Sequence, residues 1–512
     1  MMSNVEPQAP GWVVDLPNEE ATVALGALIA EELRRGDLVA LSGELGAGKT
    51  ALARAVVRAL AEDPDLEVPS PTFTILQTYD APAGPVVHAD FYRLSSADEL
   101  AEIGFAEAAD AGIALVEWPE RAAAALPPTR LEVRLALDAA TGHRSATLAG
   151  HGAFAPRLAR AQAIHGLLTR SGWLDAERAP LAGDASSRAY ERLVRPSGAQ
   201  AILMISPRRP DGPPVRRGKP YSAIAKLAES VHAFVAMDRG LRALDLSAPR
   251  LYGEDLAAGL LLLEDLGNEG VLDADGPIPE RYAEATRLLA RLHATQLPNI
   301  LPVGDGEDHV LPSYDLEAFQ IEAELLLDWY MPHVAGQQPS GSARAEFVNL
   351  WLETLAELVE APTTWTLRDY HSPNLLWLPE REGIQRIGLL DFQDAVLGPP
   401  AYDVVSLLQD ARTTVPGDLE LKLLGLYARE RKGADPAFDM AALARAYAIA
   451  GAQRATKILG IFARLDRRDG KPQYLAHLPR IERQLARNLA HPALTRLKSW
   501  YETHLPGLAA AA

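Results

Sequence analysis

The run Gly43-Glu44-Leu45-Gly46-Ala47-Gly48-Lys49-Thr50 constrains this chain more than any other feature. It matches G-x-x-x-x-G-K-[ST], follows an apolar stretch at 37–42, and opens a stretch of helical spacing at 49–62. A glycine-rich turn between strand and helix lets successive backbone N–H groups curl around phosphate oxygens, and the helix N-terminus adds partial positive charge. Lys49 is then expected to reach the β- and γ-phosphates of ATP, and Thr50 to give its hydroxyl to Mg2+. Such a turn belongs to an α/β sheet, with the loop at the C-terminal ends of the strands.

The surrounding pattern agrees. Residues 12–16 read as a strand and 18–35 as a helix, with Leu25, Leu28, Ile29 and Leu33 on one side and Gly36 as its stop. Residues 86–89 and 113–116 read as buried strands, with a helix between them introduced at 96–99 by capping-box spacing. Residues 131–137 and 144–148, turning at Thr141-Gly142, read as a closing hairpin. The two buried strands end in acids, Asp90 and Glu117, on the crevice beside the loop. A nucleotide site needs carboxylates there for the metal and the attacking water.

Four further runs stand in order around these acids: Val68-Pro69-Ser70-Pro71-Thr72-Phe73, His88-Ala89-Asp90-Phe91-Tyr92-Arg93-Leu94, Ile103-Gly104-Phe105 and Val116-Glu117-Trp118-Pro119-Glu120. With the loop, they resemble TsaE, the ATPase component of bacterial tRNA threonylcarbamoyladenosine synthesis. The resemblance implies that Thr72 senses the γ-phosphate and that Asp90 and Glu117 serve magnesium and hydrolysis. It also implies that Trp118 lies near the nucleotide. The partners it implies are threonylcarbamoyl-transferase subunits of the TsaD/TsaB kind and, through them, tRNA.

The second half carries a different signal. Leu367-Arg368-Asp369-Tyr370-His371-Ser372-Pro373-Asn374 contains D-x-x-x-x-N, followed by an apolar strand at 375–378, a polar turn, and a second strand at 387–390 ending in Asp391. Such a hairpin brings Asn374 and Asp391 together to hold Mg2+ on ATP, with Asp369 accepting the proton of an attacking hydroxyl. Upstream, Gly183 and Ser186 lie in a Gly-Asp-Ala-Ser turn that either covers phosphates or is a plain hairpin turn. Residues 260–263 lead into Glu264-Asp265-Leu266-Gly267, a hinge whose backbone would bind adenine. Residues 278–293, 318–333, 345–360 and 440–459 have helical periodicity.

Together these runs resemble the aminoglycoside phosphotransferase superfamily, and within it the bacterial kinases acting on the anomeric hydroxyl of N-acetylmuramate and N-acetylglucosamine. By that resemblance Asp369 is the catalytic base, Asn374 and Asp391 bind metal, and Asp394 and Asp403 are supports. Two departures stand out. Leu367 occupies the usual histidine position, and the strand at 199–205 lacks a phosphate-binding lysine, with Met204 near its place. Arg208, Arg209 or Lys219 on the next loop either replaces that charge or is simply solvated. His88 and His371 each flank a better-placed acid and are expected to make local hydrogen bonds.

The expected architecture is a P-loop domain at 10–152 followed by a two-lobed kinase-like domain at 158–505, with lobes at about 175–266 and 275–505. A length of 512 residues and 48% hydrophobic content suit such an arrangement. Absence of cysteine excludes disulfides, thiolate metal sites and cysteine nucleophiles. A net charge of −18 argues against nucleic-acid binding over the whole surface. No apolar run is long enough to span a bilayer, and residues 1–10 lack a secretion-signal layout, so a cytoplasmic location is expected. Two rival readings remain. One is a nucleotide switch fused to a pseudokinase scaffold, and the other is an aminoglycoside-modifying enzyme with a strongly acidic pocket.

Overall fold

A computed structural model describes residues 11–94, 99–181, 188–208, 212–304 and 306–509. The chain forms two compact units, Met1–Arg170 and Ser171–Ala512. The expected capping box at 96–99, the turn holding Gly183 and Ser186, and Arg209 lie wholly or largely outside the described residues.

In the first unit a seven-stranded sheet runs in the order Trp12–Asp15, Arg144–His151, Arg130–Leu137, Leu38–Ser42, Ile113–Glu117, Val86–Asp90, Leu76–Tyr79. The strands Arg130–Leu137, Leu38–Ser42, Ile113–Glu117 and Val86–Asp90 are mutually parallel, and antiparallel strands flank them. Parallel strands need cover on both faces. Strand Leu38–Ser42 shows this by its period of two: Val39 and Leu41 pack with Leu25, Ile29, Leu52 and Val56, while Leu38 and Ala40 pack with Phe91 and Phe105. Helix Glu19–Glu32 starts at Asn18, whose side chain accepts the Ala21 N–H at 2.8 Å, and Glu19 and Glu20 suit its positive end. The edge strand Leu76–Tyr79 was not expected, because its residues are half exposed and carry no apolar run. Spacing alone put the domain boundary at 152–158. Helix Ala155–Ser171 adds Leu158 and Ala161 to the first core, and Arg157 forks onto Asp37 at 3.0 and 2.8 Å.

The second unit opens with a five-stranded antiparallel sheet ordered Leu251–Asp255, Leu260–Glu264, Gln200–Ile205, Ala189–Val194, Glu177–Leu181. Helix Val231–Ala243 lays Phe234, Val235 and Met237 against Met204, Leu261 and Leu263. A helical lobe follows, built around the 30-residue helix Met440–Asp469. The helix expected over 318–333 is broken into the α-helix Leu316–Ala323 and a π-turn, Leu326–Tyr330. Pro332 removes a donor from the i→i−4 ladder there, so the α pattern cannot run on. Among the described residues no helix is long and apolar enough to cross a membrane.

Candidate active sites

The phosphate loop joins strand Leu38–Ser42 to helix Lys49–Ala61. Gly43 has φ 142°, and a Cβ there would lie 2.4 Å from the Leu135 carbonyl oxygen, so only glycine fits. Lys49 is buried, and its Nζ donates to the carbonyls of Gly43 and Glu44 at 2.8 and 2.9 Å. The same ammonium lies 3.7 Å from the centroid of the Trp118 ring. Burial holds its pKa below the usual lysine value, against the opposing charges of Glu117, Glu120 and Asp90. The loop therefore aims a partly desolvated cation and the free N–H groups of a helix start at one spot. Glu44, Leu45, Gly46, Ala47 and Gly48 complete the turn, with Leu45 exposed at its tip.

Both acids arrive where the strand register puts them, since Asp90 pairs directly with Glu117 across adjacent parallel strands. Thr50 Oγ1 donates to Glu117 Oε2 at 2.9 Å, and His88 Nε2 lies 2.9 Å from Glu117 Oε1. Thr72 Oγ1 donates to Asp90 Oδ2 at 2.8 Å, and the Tyr92 N–H holds Asp90 Oδ1 at 2.9 Å. Trp118, at φ 56°, is fixed by its N–H on the Leu41 carbonyl, 3.2 Å away, and by Tyr92, whose ring centroid is 5.1 Å off. Lys49, Thr50, Thr72, Asp90, Glu117 and Trp118 are thus joined through direct contacts into one cluster. Its hydroxyl and carboxylate oxygens are the hard donors that magnesium prefers.

In the second unit, residues 367–374 follow strand Thr364–Thr366 and are clamped from below. Asp403 accepts the N–H groups of Leu367 and Arg368 at 2.7 and 2.8 Å. Arg368 has φ 65°, a strained conformation for a long side chain, yet its guanidinium is buried on the Ala225 carbonyl at 2.9 Å and on Glu322. Lys457 also reaches Glu322 at 2.9 Å, and the Tyr314 hydroxyl donates to it at 2.5 Å. This network positions the part-buried Asp369. Burial pushes the Asp369 carboxyl up, but His371 when protonated and the charges of Lys457, Arg368 and Arg454 outweigh that and hold it below the usual aspartate value.

Strands Leu375–Trp377 and Ile387–Leu389 pair antiparallel, and the Leu390 N–H returns to the Asn374 carbonyl at 3.0 Å. Asn374 Nδ2 donates to the Asp369 carbonyl at 2.9 Å, so Asp369, Asn374 and Asp391 share one end of the hairpin. His371 makes a local contact, with its Nε2 lying 3.4 Å from Asn374 Nδ2. An amide oxygen and a carboxylate again make an oxygen donor set. Glu264 ends strand Leu260–Glu264 and is tied down by the Arg250 N–H at 3.0 Å and by Arg381 at 2.9 Å. Leu266 reaches over Gly388, where an added Cβ would meet its Cδ1 at 3.2 Å.

Sequence reasoning gave no role to the group that stands closest to Asp391. Arg188 NH1 donates to Asp391 Oδ1 at 2.7 Å, across 203 residues of chain, and Gln393 Nε2 bonds the same oxygen at 2.9 Å. Met204 is buried in the core. The only available signal was a lone arginine at the end of a Gly/Ser turn, which is far too common a pattern to single out.

Comparison with known proteins divides the chain in the same way. Residues 16–146 match the family model described as threonylcarbamoyl adenosine biosynthesis protein TsaE, and residues 177–444 match the phosphotransferase enzyme family. The chain is 39% identical over 352 residues to an N-acetylmuramate/N-acetylglucosamine kinase of Caulobacter vibrioides, covering 66% of this chain and 95% of that one. A Pseudomonas putida protein of the same name is 31% identical, with 62% and 86% covered. The tRNA threonylcarbamoyladenosine biosynthesis protein TsaE of Rickettsia conorii is 42% identical over 124 residues, which are 24% of this chain and 70% of that one.

Proposed function

Because the chain belongs to the TsaE family over residues 16–146 and to the phosphotransferase enzyme family over residues 177–444, we propose that it is a bifunctional ATP-using enzyme. Its first unit serves tRNA threonylcarbamoyladenosine formation, and its second phosphorylates N-acetylmuramate and N-acetylglucosamine.

In the first unit, Gly43 to Thr50 cradle the phosphates of ATP. Thr50, Asp90 and Glu117 would hold magnesium, whose charge neutralises phosphate oxygens. Glu117, oriented by His88 and Thr50, is the acid we assign to activating the attacking water. Thr72 on Asp90 couples the 68–73 loop to whatever occupies the γ-phosphate position. The partners are the threonylcarbamoyl-transferase subunits that act on tRNA. A cytoplasmic location, where ATP and tRNA are both at hand, is part of this reading.

In the second unit, Asn374 and Asp391 would hold magnesium, and the backbone around Glu264 and Leu266 takes adenine. Asp369 accepts the proton as the anomeric hydroxyl oxygen bonds to the γ-phosphorus. The bond from that phosphorus to the bridging oxygen breaks, and ADP leaves. Asp369 stays ionised across neutral pH, which suits a residue that orients the hydroxyl and takes its proton late. Arg188 supplies the positive charge that Met204 cannot.

The observation that carries this reading is the meeting of Asp369, Asn374 and Asp391 at one hairpin end, in a chain that covers 95% of a named amino-sugar kinase. The test is transfer of ATP phosphate to the two sugars by wild type and Asp369→Asn. Wild type should phosphorylate both, and the variant should lose at least about 100-fold in kcat, the low end of what a positioned base contributes. Undiminished transfer by the variant would refute Asp369 as the base.

A further inference from the structure

A cavity of about 880 Å³ opens beside this site, between Arg188 and Asp394 at one end and helix Met440–Asp469 at the other. Its size is within the range of small-molecule pockets. Among the described residues its lining sets five arginines against four acids, Glu229, Glu324, Asp328 and Asp394, so it is not the strongly acidic pocket that a polycationic aminoglycoside requires. Three of these arginines are already neutralised. Arg216 NH2 contacts both Glu324 oxygens at 2.8 and 2.9 Å, Arg344 holds Asp328 at 2.6 Å, and Arg468 forks onto Asp469 at 2.7 and 2.9 Å.

Arg464 differs. Among the described residues it has no carboxylate within ion-pair distance, and its buried Nε has no hydrogen-bond partner. Its guanidinium carbon lies 5.1 Å from the Tyr221 ring centroid. Burial, with Arg468 nearby, holds its pKa below the usual arginine value, so the pocket keeps a cation under electrostatic stress. The Tyr221 side chain and the more distant charge of Asp469 favour the cation, but no carboxylate pairs with it directly; a planar guanidinium is suited to binding a carboxylate through two parallel hydrogen bonds.

The position also fits the site. Lys457, whose charge acts on Asp369, is seven residues earlier on the same helix and therefore on the same face. Two turns separate them by about 10 Å along the axis. Tyr221, which faces Arg464, also feels the charges of Glu322, Lys457 and Arg368 beneath Asp369.

N-acetylmuramate is N-acetylglucosamine with a lactyl ether on O3, and the carboxylate of that arm is its only charge. We infer that Arg464 is the specificity residue that binds this carboxylate in the cavity beside Asp394, selecting the anionic sugar over the neutral one. The inference rests on the amino-sugar kinase reading above.

The test compares kcat/KM for the two sugars in the full-length protein and in Arg464→Met and Arg464→Lys. Loss of a bidentate charge-assisted pair should lower the muramate-to-glucosamine ratio about 10- to 100-fold in Arg464→Met, mainly through KM, with partial recovery in Arg464→Lys. Wild type alone should prefer N-acetylmuramate to its methyl ester by a similar factor, a readout that needs no variant to fold. An unchanged ratio in Arg464→Met, or equal use of acid and ester by wild type, would overturn the inference while leaving the kinase reading intact. Failure of wild type to phosphorylate either sugar would overturn both.

Discussion

Asp238 is fully buried in helix Val231–Ala243, and neither carboxylate oxygen has a hydrogen-bond partner among the described residues. Burial raises its pKa to about 7, opposed by Arg242 and Arg239 and reinforced by Glu264 and Glu254. The folded state therefore holds a proton that the unfolded chain releases near pH 4, and stability falls as pH rises between those values. The slope is about 1.4 kcal/mol per pH unit. Asp238→Asn removes that titration. Its melting temperature should exceed that of wild type most clearly above pH 7, with the gap closing towards pH 4, as followed by calorimetry. A gap independent of pH would contradict the assignment. At the other end of the sheet, Arg188 is held by Asp391, and its pKa is raised despite burial because Asp391, Tyr190 and Asp394 surround it. Arg188→Met should raise KM for ATP and lower kcat at least about 10-fold, the loss of one charge-assisted contact, and Arg188→Lys should restore part of it.

Glycine packing decides the contact between two elements of the helical lobe. A Cβ on Gly460, in the middle of helix Met440–Asp469, would lie 2.4 Å from the Leu325 carbonyl carbon. Alanine in a helix interior normally stabilises by about 1 kcal/mol over glycine. Here that gain is overridden by the close approach, and Gly460→Ala should destabilise the second unit by about 1–3 kcal/mol in chemical denaturation. The same contrast between local and distant causes explains what the sequence revealed. Strands 37–42, 86–89 and 113–116, the phosphate loop and the 369–391 hairpin are legible because their apolar runs and motif spacings are local. Arg188 meeting Asp391, and Glu322 meeting both Arg368 and Lys457, arise only when distant segments pack together, and nothing in their own neighbourhoods announces it. The split at 324–330 was hidden because apolar periodicity runs through it, while the break depends on Pro332 and on backbone contact with another helix.

On the proposed reading, the two compact units each carry their own phosphate-binding apparatus, one built from backbone amides at a strand–helix turn and the other from a hairpin's acid and amide. Fusion then ensures equal amounts of two activities without requiring that either depend on the other. Lys49→Ala removes the cation of the first apparatus only, and should abolish ATP hydrolysis while leaving sugar phosphorylation within about twofold, an effect of under 0.5 kcal/mol. Calorimetric titration of the intact protein with a non-hydrolysable ATP analogue and magnesium tests the central claim most directly. Two molecules of nucleotide should bind per chain in wild type and one in Lys49→Ala. A single binding event in wild type, or loss of both in the variant, would contradict the account.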